Sequence, residues 1–204
     1  MTTLAESATT PPTTTSRPVV IGLDTAIGSA SSSGTGIASS NGWCESVGYT
    51  DKKRPFTKLP HPERLNALTQ LAARIRLAIG TPDLVVMETP SLASMGGGAH
   101  ERAWLWWELY RHLVQHDIPV GLMAPTQRML YAAGKGNAAK AVVVDAVARR
   151  WPDWTTHGDD NQADAVVLMA AGLDWAGHTL ADMPKVNRAA IDKAVWPDLN
   201  EVTR

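Results

Sequence analysis

The chain is 204 residues long, 44% hydrophobic and 19% charged, which is enough apolar material for one ordinary domain with a buried core and too much for a disordered chain. With 19 Lys and Arg against 20 Asp and Glu the formal net charge is -1, so a uniformly basic coat is excluded while a local basic groove is not. The single cysteine, Cys44, excludes an intrachain disulfide and a cysteine zinc cage; no apolar run is long enough to span a membrane, none precedes Val19 as a secretory signal would, and a cytoplasmic protein is expected.

Residues 1–17, built from Thr, Ser, Pro and Ala, are expected to form a disordered tail. Val19-Val20-Ile21-Gly22-Leu23 is a continuous apolar run that reads as a buried strand, and it ends in Asp24. A Gly/Ser/Ala loop is expected from Thr25 to Ser33. Residues 34–39 and 43–49 then read as a hairpin turning at Asn41-Gly42. Over residues 61–80, Leu65, Leu68, Ala72, Ile75 and Ile79 recur every three or four positions, which predicts an amphipathic helix stopped by Gly80 and Pro82. Leu84-Val85-Val86-Met87 is a second continuous apolar strand, and it too ends in an acid, Glu88. A strand, a long helix and a strand of this kind predict a parallel crossover.

Pro90 to Gly98, with three consecutive glycines, is expected to be a flexible loop. The helix predicted from about Ala99 to His116 carries Trp104, Trp106 and Trp107 and has two apolar faces. One is Ala103, Trp107, Tyr110 and Val114; the other is Leu105, Trp106, Leu109 and Leu113. An ordinary surface helix needs one such face. The second either meets a partner subunit or lies under the C-terminal segment. Pro119 to Ala124 predicts a third strand. Pro125 opens a short helix that Gly134-Lys135-Gly136 breaks, and Asn137 is the expected cap of a helix running to about Arg150. The last clear helix spans about Asp160 to Trp175, with Asp159 or Asp160 as its cap. Residues 177–204, punctuated by Pro184 and Pro197, form an extension of unassigned role, so the domain proper is expected over residues 18–176.

The charge is segregated. From Asp51 to Arg76 seven cations face two acids, from Arg128 to Arg150 five face one, and from Asp153 to Asp164 there are four acids and no Lys or Arg. Two basic segments around a carboxylate cluster suit a protein that grips a polyanion and does metal chemistry on it. Asp24 and Glu88 each end a buried strand, and ligands of open α/β sheets bind at that edge. Asp160 and Asn161 share a helix face with Asp164, four and three residues on. Carboxylates that converge repel one another unless a cation joins them, and hard oxygen ligands select Mg²⁺ or Mn²⁺. Two such ions can activate a water and stabilise the departing oxygen of a phosphodiester.

The order strand-Asp, hairpin, helix, strand-Glu, helix, strand, helices and a final acid-bearing Ala-rich helix resembles the ribonuclease H-like superfamily. Within it the chain is most similar to RuvC-type Holliday-junction resolvases, particularly the versions found in bacteriophages. Ile21-Gly22-Leu23-Asp24, Val85-Val86-Met87-Glu88, Asn161-Gln162-Ala163-Asp164-Ala165 and Gly134-Lys135-Gly136-Asn137-Ala138-Ala139-Lys140 carry the resemblance, which spans about residues 19–176. It implies an α/β fold with a five-stranded mixed sheet and helices on both faces. It also implies a homodimer, two Mg²⁺ or Mn²⁺ per site, and paired nicking of a four-way DNA junction. By the same resemblance Asp24, Glu88 and Asp164 are metal ligands, Asp160 or Asn161 completes the shell, and Lys140 approaches the DNA backbone near the scissile phosphate. A second family lysine falls at Met129, beside Arg128. The three-tryptophan helix (Trp104, Trp106, Trp107) corresponds to the family's dimer helix.

Arg128, Lys135 and the run Lys52-Lys53-Arg54 are the expected holders of flanking DNA backbone. Other readings keep the same residues: a nuclease acting on flaps, forks or other branched DNA, or a non-catalytic DNA-binding module. A kinase of the actin-like fold, faintly suggested by Gly34-Thr35-Gly36, needs two related halves, and this chain has length for one.

Overall fold

Apolar side chains alternate along the strands, and each set meets its own layer of helices. In β1 (Val20–Ile27) and β4 (Leu84–Glu88), Val20, Leu84 and Val86 point to one face while Ile21, Leu23, Val85 and Met87 point to the other. The computed structural model describes residues 17–28, 34–51, 53–90 and 98–202. The expected tail over residues 1–16, Lys52, and residues 29–33 and 91–97 of the two expected loops lie outside the described residues.

Five strands make one mixed sheet in the order β3-β2-β1-β4-β5, with β2 (Gly34–Ser39), β3 (Trp43–Val47) and β5 (Val120–Met123) completing it. β1, β4 and β5 are parallel, and β2 is antiparallel to both β1 and β3, as the hairpin and crossover readings require. Helices α1 (His61–Ile79) and α2 (Ala99–Gln115) cover one face. Helices α3 (Pro125–Ala133), α4 (Lys140–Arg150) and α5 (Asp160–Trp175) cover the other. No helix among the described residues is long and apolar enough to cross a membrane.

The structure departs from the sequence reading at identifiable points. β1 does not end at Asp24. It runs on to Ile27 through a bulge, because Asp24 pairs with Gly36 while Ile27 pairs with Gly34. The Thr35 hydroxyl serves the bulged backbone, accepting from the Ala26 amide at 3.1 Å and donating to its carbonyl at 2.7 Å. In α1, Leu65 is 56% exposed and Leu71 is buried in its stead. At about 100° per residue these two flank Leu68 by roughly 60° on opposite sides, and the helix leans toward Leu71. Asn137 does not cap α4. The chain turns through Gly134 to Ala138, and Ala139 takes the N-cap position with no side-chain hydrogen bond. Asp159, not Asp160, caps α5, accepting from the backbone amides of Asn161 and Gln162.

Residues 177–202 do not cover α2. They turn to the open edge of β5, where Leu122 and Val195 exchange backbone hydrogen bonds of 2.7 and 2.9 Å. Trp196 lies over Gly121 and stacks on Trp175 at 4.9 Å. An unpaired strand edge attracts backbone donors and acceptors in this way. Asp174, with a fully buried side chain, anchors the same segment through Thr179 (2.7 Å) and Arg188 (3.0 Å), and also accepts from the Tyr131 hydroxyl (3.2 Å). The second apolar face of α2 therefore stays open: Trp107 is 61% exposed and Val114 53%.

α5 lies against the sheet with almost nothing between. A Cβ on Gly22 would stand 2.0 Å from the Ala165 carbonyl oxygen, and one on Gly36 2.0 Å from that of Asn161. Both positions must be glycine for the helix to rest where it does. Gly22→Ala and Gly36→Ala are each expected to cost roughly 3 kcal/mol or more through overpacking against rigid backbone. Urea unfolding reads this as a lowered midpoint; an unchanged midpoint would mean that α5 does not sit on these glycines.

Candidate active site

The register of the parallel strands brings the first two acids together. Leu23 pairs with Met87, so Asp24 and Glu88 follow as the next residues of adjacent strands, where β4 ends and the bulge of β1 begins. Both lie two positions beyond residues of the α5 face, Gly22 and Val86, and so share that face. α5 runs down over the same edge. Its first turn passes Gly36 at Asn161, its second passes Gly22 at Ala165, and Asp164 is held between them, 8% exposed. β5 delivers α3 to this edge, and Arg128 lies in its first turns, also 8% exposed.

Arg128 is the centre of the arrangement. Its Nε donates to the Glu88 carboxylate and its Nη1 to that of Asp164, so one guanidinium bridges acids from β4 and α5. From the sequence alone Arg128 is expected on flanking DNA backbone. The structure instead buries it inside the acidic cluster, where its planar fork matches two carboxylates at once. The signal that could have found it is its place one turn into the helix that follows β5. Among the described residues no three acid, histidine or cysteine side chains stand together as a ready metal cage, and Arg128 lies between two of the three expected ligands.

The remaining expected residues form a rim. Lys140, with its side chain 80% exposed, reaches the Asp160 carboxylate. Asn161 is buried in the first turn of α5 beside Gly36. Lys135 is exposed in the turn between α3 and α4. Lys53 and Arg54 follow β3 at the same end of the sheet, and Arg54 pairs with Glu63. Of the tryptophans, Trp106 leaves the dimer-interface set. It is 5% exposed, stacks on Tyr110, and donates its indole N–H to the Glu88 carbonyl at 2.8 Å, bracing the strand end that carries the acid. Trp104 is half-buried, and Trp107 remains on the open face. A cleft beside the acids is lined by Asp24, Thr25, Glu88, Thr89, Arg102 and Trp106.

Electrostatics follow from this packing. Burial, then Glu88 and Asp160, push the Asp24 carboxyl up from 3.8 to about 7 against the opposing pull of Arg128 and Lys140. Burial also holds Glu88 above its ordinary range, with Arg128 acting the other way. Desolvation leads at both acids, and at Asp24 the neighbouring Glu88 and Asp160 add to it.

No protein-family model and no curated protein matches the chain. Among solved structures, Thermus thermophilus RuvC in complex with a Holliday junction substrate matches with a TM-score of 0.52 and 20% identity, covering 82% of this chain and 99% of that one. Another structure of Thermus thermophilus RuvC matches with a TM-score of 0.47 and 18% identity, covering 81% and 99%. The chain has the RuvC-like, ribonuclease H-like fold.

The Asp24 shift has a defined sign. Its folded value, about 7, lies above the unfolded 3.8, so the folded state holds the extra proton between them. Stability is lost as pH rises through that window and stays reduced above it. Asp24→Asn is expected to raise the Tm of the metal-free protein at a pH well above 7 and to change it little near 3.8. Equal Tm values at the higher pH would show that Asp24 is not buried against like charge.

Proposed function

We propose that this chain, which has the fold of RuvC, is a metal-dependent endonuclease that cuts four-way DNA junctions by paired nicks. The observation that carries the reading is that Asp24 and Glu88 lie side by side on parallel β1 and β4 while Arg128 ties Glu88 to Asp164 of α5. Every donor in that set is a carboxylate oxygen, which fits Mg²⁺ or Mn²⁺. Asp24, Glu88 and Asp164 would hold two ions, with Asp160 or Asn161 completing the shell. The bound ions supply activation of a water and stabilisation of the leaving oxygen.

The chain's own residues do the rest. The paired strands β1 and β4 fix the Asp24 and Glu88 carboxylates, and the indole of Trp106 braces the second. Lys140, exposed and paired only at its tip, is able to exchange Asp160 for a scissile phosphate. Lys135, Lys53 and Arg54, with Lys52 beside them in sequence, hold flanking backbone. The open face of α2 around Trp107 and Val114 is the homodimer contact, and a two-fold axis there matches the two-fold symmetry of a junction.

Asp24→Asn and Glu88→Gln are each expected to reduce cleavage of a synthetic four-way junction in Mg²⁺ by more than about 100-fold while leaving junction binding. The same assay run on flap, fork and linear duplex separates the junction reading from other branched substrates. Wild-type cutting by either variant would remove both residues from the site. Trp107→Glu is expected to shift the protein from dimer to monomer in analytical ultracentrifugation, and a dimer that survives it places the interface elsewhere.

A further inference from the structure

The cation inside the acidic cluster belongs to the protein. Arg128 comes from α3, is 8% exposed, and spans Glu88 on β4 and Asp164 on α5, the two carboxylates that a divalent ion would have to share. A guanidinium this buried is tolerated only because both acids neutralise it, and each acid is tolerated at this edge partly because of it. Glu88 and Asp164 therefore have two alternative cations, one tethered and one free. They cannot turn the same oxygens to both.

We propose that Arg128 is a metal-displaceable internal counter-ion. Without metal it bridges Glu88 and Asp164 and keeps the acids of β4 and α5 assembled. Metal loading requires the guanidinium to leave both carboxylates, so the intrinsic affinity of the site is reduced by the work of releasing it. An arginine serves where a lysine would not, since only a planar fork bonds two carboxylates from different strands and helices with separate nitrogens. This inference rests on the metal-site reading above, and its test separates the two.

The measurement is Mn²⁺ binding to the full chain by isothermal titration, with no DNA present. Arg128→Gln keeps polar bulk and removes the competing cation; it is expected to bind Mn²⁺ at least about tenfold more tightly than wild type, since two charge-assisted bonds no longer oppose loading. Lys140→Gln removes one charge from the same rim without touching Glu88 or Asp164, and is expected to tighten binding far less. Equal tightening by the two variants would show that net charge alone sets affinity and would overturn the inference. Equal Mn²⁺ affinity in wild type and Arg128→Gln also overturns it, yet leaves the metal site standing. If neither protein binds Mn²⁺ at millimolar concentration, the metal-site reading fails and takes this one with it. Should Arg128→Gln not fold, the wild type decides. Its Arg128 Nε–Hε resonance, assigned by its loss in Arg128→Lys, is expected to move when Mg²⁺ raises the Tm. A resonance that stays in place while the Tm rises rejects displacement.

Discussion

The approach of one helix backbone to the sheet governs the rest of this molecule. α5 rests on Gly22 and Gly36 with its carbonyls where any Cβ would stand. A helix carried on side chains would sit several ångströms higher, at the usual separation of about 10 Å between packed layers. Asp164 would then be lifted away from acids that extend only a few bonds from their strands. The same economy runs down the helix: Ala163, Ala165, Ala170 and Ala171 are all buried, and Gly172 accepts the side chains of Val20 and Val86. Small residues on both surfaces thus convert an ordinary layer contact into one tight enough for helix and strands to bring their acids to one edge.

That closeness creates an electrostatic debt, and Arg128 is the answer the chain supplies. Desolvation already favours the protonated forms of Asp24 and Glu88. Without a cation, bringing Asp164 down onto them would drive the acids toward protonation or the helix away from the sheet. A bridging guanidinium opposes that shift at Glu88 and ties Glu88 to Asp164, so the two acids are held together before any ligand arrives. The desolvation cost of such a pair is commonly as large as its attraction. Its presence is therefore better explained by holding charge in place than by contributing stability.

Most of the architecture was legible in the residues because it depends on periodicity. Continuous apolar runs gave β1, β4 and β5, the three-and-four spacing gave α1, and Asn41-Gly42 gave the hairpin between β2 and β3. The acid that ends β4 was legible because a charge directly after four buried positions has few structural uses, whereas Asp24 lies within β1 and not at its end. What escaped depends on three dimensions. The bulge after Asp24 is fixed by a cross-strand hydroxyl on Thr35, which no pattern within β1 announces. Trp106 and Trp107 are neighbours in sequence and similar in chemistry, yet one braces the Glu88 backbone and the other faces out. The choice is made by where α2 meets β4. Arg128 read as one more member of a basic segment because linear charge counting cannot tell a solvated arginine from a buried one.

The net charge of -1 is also a poor guide to the field around the molecule, for the same reason. The acids are preferentially used up inside. Asp164 and Asp174 are buried, Asp159 is turned into the α5 N-terminus as its cap, and Asp83 accepts the Val19 amide at 2.7 Å. Lys135 and Lys140 project outward on the turn beside the site, and Lys53 and Arg54 stand exposed at the same end of the sheet. Internal acids screened by Arg128, Arg188 and backbone amides contribute little to the external potential, whereas exposed lysines contribute fully. A chain balanced in composition can therefore present a basic rim around an acidic pit.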